Sequence, residues 1–154
     1  MSRLKLSIYT SILIVFLATN SVIATDRVKT LVIVSNTDVP IKKLSIGDIR
    51  KLYLGYPIKL DGQEIHPIIN RSDPLLYVVF LQKIVFLSAR SYQRRMKSEM
   101  FRSGKREIPE IDDKNELQKH IKEIKNTISF MWLKTVQNKT LDNTRKIWSG
   151  TLSQ

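Results

Sequence analysis

The chain has 154 residues, no cysteine, two histidines, and 26 Lys or Arg against 14 Asp or Glu, a formal net charge of +12 at pH 7. The absence of cysteine excludes a disulfide framework and a thiolate metal site. The positive charge favours anionic partners, namely phosphate, lipid head groups or cell-wall polyanions, with nucleic acid the least expected of them.

At the N-terminus, Arg3 and Lys5 precede a mostly apolar, uncharged run from Leu6 to Ala18. Ser21-Val22-Ile23-Ala24 then places Val at −3 and Ala at −1 of a cleavage site before Thr25. That order is the signature of a secretory signal peptide. The alternative is an uncleaved membrane anchor, but a spanning helix needs roughly 20 apolar residues and the uncharged run is shorter. Residues 1–24 are therefore expected to be removed, leaving residues 25–154 as one domain in the periplasm. Removal takes two basic residues and no acidic ones, so 24 basic residues face 14 acidic ones, a net charge of +10.

Further along, Thr30 to Ser35 is a continuous β-branched run, the pattern of a strand buried on both faces. Asn36 to Pro40 has turn composition. Ser45 and Asp48 read as a capping box opening a short helix with Ile49, Leu52 and Tyr53 on its apolar side and Gly55 as its stop. Asp61-Gly62 predicts a hairpin between Pro57–Leu60 and Gln63–Ile69. Asp73 and Pro74 are an N-cap and a first helical residue, and Leu75 to Leu87, apolar nearly all round, predicts the buried central helix.

A basic helix follows, from about Ser88 to Arg102, ending near Gly104. After an extended acidic piece, Pro109 to Asp113, Leu117, Ile121 and Ile124 keep helical spacing over about Lys114 to Lys125. Thr127 to Leu133 predicts a second buried strand, and Arg145 to Trp148 a last short one. Strands alternating with helices give an α/β domain with a mixed sheet flanked by helices.

Two features point to anions. The arm ending at Ile69 runs through Asn70-Arg71-Ser72-Asp73 straight into a helix, and such turns present free N–H groups and the positive end of a helix dipole. Arg71 adds a planar donor fork suited to phosphate or carboxylate, although an Arg at a turn is ordinarily just a surface residue. The second feature is the run holding Arg90, Arg94, Arg95, Lys97, Arg102, Lys105 and Arg106 against the single Glu99. A solvated helix face is its ordinary reading; a polyanion or membrane surface is the functional one.

Catalytic chemistry finds little support. His66 and His120 share no metal-ligand spacing, and neither a Gly-x-Ser-x-Gly elbow nor a Walker loop is present. Asp112, Asp113 and Glu116 fit ordinary electrostatics before a helix. No cofactor, metal or enzymatic activity is expected.

The ordered set Leu31–Asn36, Asp38–Pro40, Leu44-Ser45-Ile46-Gly47-Asp48-Ile49, Tyr53-Leu54-Gly55, Ile65–Ile69 with Arg71-Ser72-Asp73, and Asn126–Met131 resembles a known family. It is similar to the second lobe of type II periplasmic solute-binding proteins, most closely the phosphate-binding proteins of phosphate ABC transporters. The resemblance implies one lobe of that fold, with Arg71, Ser72 and Asp73 in the phosphate loop and Asp73 holding Arg71. It further implies a role in phosphate transport or sensing. The chain departs from the pattern where the family continues as Gly-Ser-Gly-Thr, since Pro74-Leu75-Leu76 offers neither glycine nor hydroxyl, and Pro74 has no N–H. About 130 residues match only one of the family's two lobes. Selective phosphate capture would then need a second lobe or an envelope partner, or else the basic helix would be the working surface.

Overall fold

The computed structural model describes residues 28–36, 39–105, 107–137 and 143–151; the expected signal peptide, its cleavage site and Arg106 lie outside the described residues. The chain begins with β1 (Lys29–Ser35), a 3₁₀ turn (Ile41–Lys43) and α1 (Ile46–Tyr53). Four short strands follow: β2 (Lys59–Leu60), β3 (Gln63–Glu64), β4 (His66–Pro67) and β5 (Ile69–Asn70). Next come α2 (Pro74–Phe80), extended by a π-helical turn (Leu81–Val85), and α3 (Ala89–Ser103). The remaining elements are β6 (Glu110–Ile111), α4 (Lys114–Glu123), β7 (Thr127–Trp132), α5 (Leu133–Gln137) and β8 (Asn143–Gly150).

The architecture is α/β, with a mixed four-stranded sheet in the order β4-β7-β1-β8. β1 runs antiparallel to β7 and β8, while β4 lies parallel to β7. Strand β1 carries no polar face because both of its faces are covered. Leu31 and Ile33 enter the larger core with α1, α2 and the π turn, whereas Val32 and Val34 pack with Leu117 and Ile121 of α4 and Val136 of α5. A period-two split of one apolar run between two cores explains its unbroken hydrophobicity. Aromatic rings fill the centre of the larger core: Phe80 and Phe130 stack at 3.8 Å, and Tyr53 meets both edge-on.

Local signals in the sequence set the helix ends. Ser45 Oγ accepts the Asp48 N–H at 3.0 Å and Asp48 Oδ2 accepts the Ser45 N–H at 3.0 Å, completing the capping box. The Ser45 hydroxyl, donating to Asp48 Oδ2 at 2.7 Å, and then the Ser45 N–H hold the Asp48 carboxyl below the usual carboxylate range. Ser88 caps α3 by accepting the Ser91 N–H, and Gly104 ends it at φ +60.

Two expectations are corrected. The arm Gln63–Ile69 is not one hairpin strand: β3 pairs with β2, β4 joins β7, and β5 pairs in parallel with β6. His66 and Ile68 donate their N–H groups to Asn126 and Ile128 on one side, then Ile69 and Arg71 donate to Pro109 and Ile111 on the other. Pro67 cannot donate, which suits the edge of the four-stranded sheet. The second correction concerns Leu75–Leu87. The helical run ends at Val85 because Phe86 is left-handed at φ +60. Lying on a sheet buries one side only, so Leu75, Val78 and Phe86 stay 43%, 37% and 61% exposed. Ile124 likewise falls beyond α4 and is 44% exposed.

The packing predicts an alkaline limit to stability. Tyr53 donates its hydroxyl to the Ile68 carbonyl at 3.2 Å and Tyr92 donates to the Tyr53 carbonyl at 2.7 Å, both in the core. Burial pushes both hydroxyls above the ordinary tyrosine value. Because the folded values lie above the unfolded one, this contribution is intact below about pH 10 and is lost as pH rises past it. Unfolding followed by circular dichroism should therefore coincide with the appearance of tyrosinate absorbance from these residues. Ionisation of this pair while the fold persists would contradict the packing.

Candidate functional site

The turn after β5 is built from buried polar bonds. Asn70, 2% exposed, donates from Nδ2 to the Phe130 carbonyl at 2.9 Å. Its Oδ1 accepts both the N–H of Ser72 at 3.0 Å and the Ser72 hydroxyl at 2.6 Å. Asp73 caps α2, its Oδ1 accepting the Leu76 N–H at 3.0 Å, while its Oδ2 accepts the Trp132 indole N–H at 2.8 Å. Both carboxylate oxygens are thus engaged in folding.

Arg71 is consequently not held by Asp73, which corrects the role that the resemblance implied. Its Nε lies 3.5 Å from Glu110 Oε2, and its guanidinium sits 4.1 Å from the centre of the Tyr77 ring. The reason is topological: β5 pairs with β6 and so places Glu110 beside Arg71, while α2 presents Tyr77 one turn after the cap. The Tyr77 hydroxyl is buried without a hydrogen-bond partner among the described residues. Burial raises its pKa, partly offset by the neighbouring Arg71 charge. Arg71, Ser72 and Asp73 do share one turn, but only the Arg71 side chain, 31% exposed, presents a group to an incoming anion. Ser72 turns its hydroxyl to Asn70, and Asp73 spends its two oxygens on the Leu76 N–H and the Trp132 indole.

The basic stretch divides sharply once it is folded. Tyr92 is the buried residue of α3. At 3.6 residues per turn, Arg90, Arg94, Lys97 and Phe101 form a stripe on the opposite side of the helix, and all four are exposed. Phe101 is 91% exposed. Arg102 flanks the stripe and is also exposed, whereas Arg95 is half-buried. Lys105 leaves the group: its Nζ lies 2.9 Å from Glu99 Oε2 and 3.8 Å from the centre of the Tyr56 ring. That contact holds the Glu99 carboxyl below its usual range and removes the stretch's one acid from competition. Arg90, Arg94, Lys97 and Arg102 have no ion pair among the described residues.

His66 and His120, which share no spacing in the chain, both line one cavity of about 550 Å³ with Tyr56, Lys105, Glu107 and Thr127. Only the fold unites them, since β4 and α4 are distant in the chain and no spacing signals the pair. His66 and Thr127 start β4 and β7, so the cavity lies at the N-terminal ends of those parallel strands. Ligands of open α/β sheets characteristically sit at the C-terminal ends. Among the described residues no group of three or more His, Asp or Glu side chains could hold a metal. No single described helix is long and apolar enough to cross a membrane. No family model, curated protein or solved structure matches this chain, so its site is defined by its own residues alone.

Proposed function

We propose that this chain is an exported, non-enzymatic binding module, corresponding to one lobe of the phosphate-binding-protein type, whose working surface is the basic face of α3. The observation that carries this reading is the stripe Arg90, Arg94, Lys97 and Phe101, exposed and directed away from the core. A merely solvated helix face mixes both signs, and this face does not. Its anionic partner belongs to the cell envelope.

A second reading, binding of inorganic phosphate or a similar anion at Arg71, draws support from the partial exposure of that guanidinium at the strand-to-helix turn. Ser72 and Asp73 are already committed, so affinity rests on Arg71 and on any partner lobe. For the isolated chain it should fall near the millimolar end, about −4 kcal/mol.

One pair of measurements separates the two. Retention on heparin should weaken steeply with salt and fall by at least about tenfold in affinity for Arg94→Glu with Lys97→Glu, because exposed charges act through a screened field. Calorimetry with phosphate should give weak heats that Arg71→Ala abolishes and the α3 variant leaves unchanged. Heparin binding indifferent to the α3 charges would overturn the first reading. Saturable phosphate binding that survives Arg71→Ala would overturn the second.

A further inference from the structure

We infer that the partner of the α3 face is an anionic phospholipid bilayer, with Phe101 inserted among the lipids and Arg90, Arg94 and Lys97 paired to head-group phosphates. The inference rests on the proposed function and names its partner. Charge alone would fit any polyanion; Phe101 is what selects among them. Its side chain is 91% exposed on the outermost line of the helix, one turn beyond Lys97. A soluble polyanion such as heparin offers nothing apolar for that ring to enter.

A bilayer surface offers both components at once, phosphates at the head-group level and hydrocarbon just beneath. Arg and Lys have apolar stems that lie along the interface while their charged ends stay among the phosphates. Nucleic acid fits less well. Sequence-tolerant binding of single strands uses successive aromatics as a stacking platform, and the other aromatic of α3, Tyr92, is buried on the opposite side. The helix is also too short and too charged to span, so it lies on the surface. From Arg90 to Phe101 the stripe is about 16 Å long at 1.5 Å per residue, and its aromatic end is the one that penetrates.

Phe86 provides a smaller, separate exposed aromatic just before the N-terminus of α3. It is 61% exposed, with the Arg50 guanidinium 5.2 Å from its ring centre. Its ring already has a cation over it, so Phe101 carries the insertion.

The test uses the protein recovered after export, sedimented with vesicles of phosphatidylglycerol and phosphatidylcholine or of phosphatidylcholine alone, and run in parallel on heparin. Circular dichroism should show every variant folded, since the altered positions are exposed. Binding should require phosphatidylglycerol. Each basic residue neutralised on the stripe should weaken it on the order of fivefold. Phe101→Ser should weaken vesicle binding by about tenfold through loss of apolar burial, leave heparin retention unchanged, and be rescued by Phe101→Trp. Heparin retention without vesicle binding would overturn the bilayer as partner and leave the basic-face reading intact. Vesicle binding indifferent to Phe101→Ser would overturn the insertion. Loss of charge dependence in both assays would overturn the proposed function itself.

Discussion

Leu81→Asp should leave the chain unable to hold its native fold. Leu81 is 1% exposed, opens the π-helical turn after α2 and packs in the larger core. Its neighbours there, Phe80, Ile84 and Val85, are all buried and apolar, so a carboxylate at this position meets no cation and no donor from them. Moving an ionised group into such a site costs several kcal/mol even after it shifts its pKa and takes up a proton. Against a total stability of about 5–15 kcal/mol for a domain of this kind, that cost dominates. The expected result is a circular dichroism spectrum without a cooperative thermal transition. Leu81→Met, which preserves apolar volume, should melt within a few degrees of the wild type, on the order of 1 kcal/mol. A normal melting curve for the Asp variant would mean that the helical run buries a different side.

The second large effect is expected at Phe130. This residue is 0% exposed in the middle of β7, stacked on Phe80 with rings 2° from parallel and touched edge-on by Tyr53 at 5.7 Å. Phe130→Ala removes the ring on which strand, helix α1 and helix α2 all converge. Truncations of this kind cost about 3–5 kcal/mol, because the transfer energy of the ring is lost and the cavity only partly collapses. The melting temperature should fall by on the order of 10–20 °C, with a matching shift of the urea midpoint. Phe130→Leu, which refills part of the space, should cost clearly less. Equal costs for the two substitutions would indicate that refilled apolar volume recovers nothing and that the ring's own packing against Phe80 and Tyr53 accounts for the loss. Neither variant touches α3, so folded fractions of both should retain the charge-dependent binding of the basic face.

Elements whose signals are local were legible in the chain alone. A short β-branched run such as Thr30–Ser35 reads as a doubly buried strand, the side-chain caps of Ser45, Asp73 and Ser88 open helices through bonds a few residues long, and left-handed Gly104 closes one. The basic run from Arg90 to Arg106 was legible as composition on a helix, but which of its members share the outer face depended on where Tyr92 packs. Whatever depends on which distant segment becomes a neighbour was settled by packing. Asp73 found Trp132, Arg71 found Glu110 and Tyr77, and the arm Gln63–Ile69 was shared between β2, β7 and β6. A lone carboxylate carries no mark of whether it will bind an arginine, an anion or an indole N–H. The exposure of Phe101 was equally invisible, because apolar residues at helical spacing are ordinarily buried and only the packing of Tyr92 against the core turned Phe101 outward.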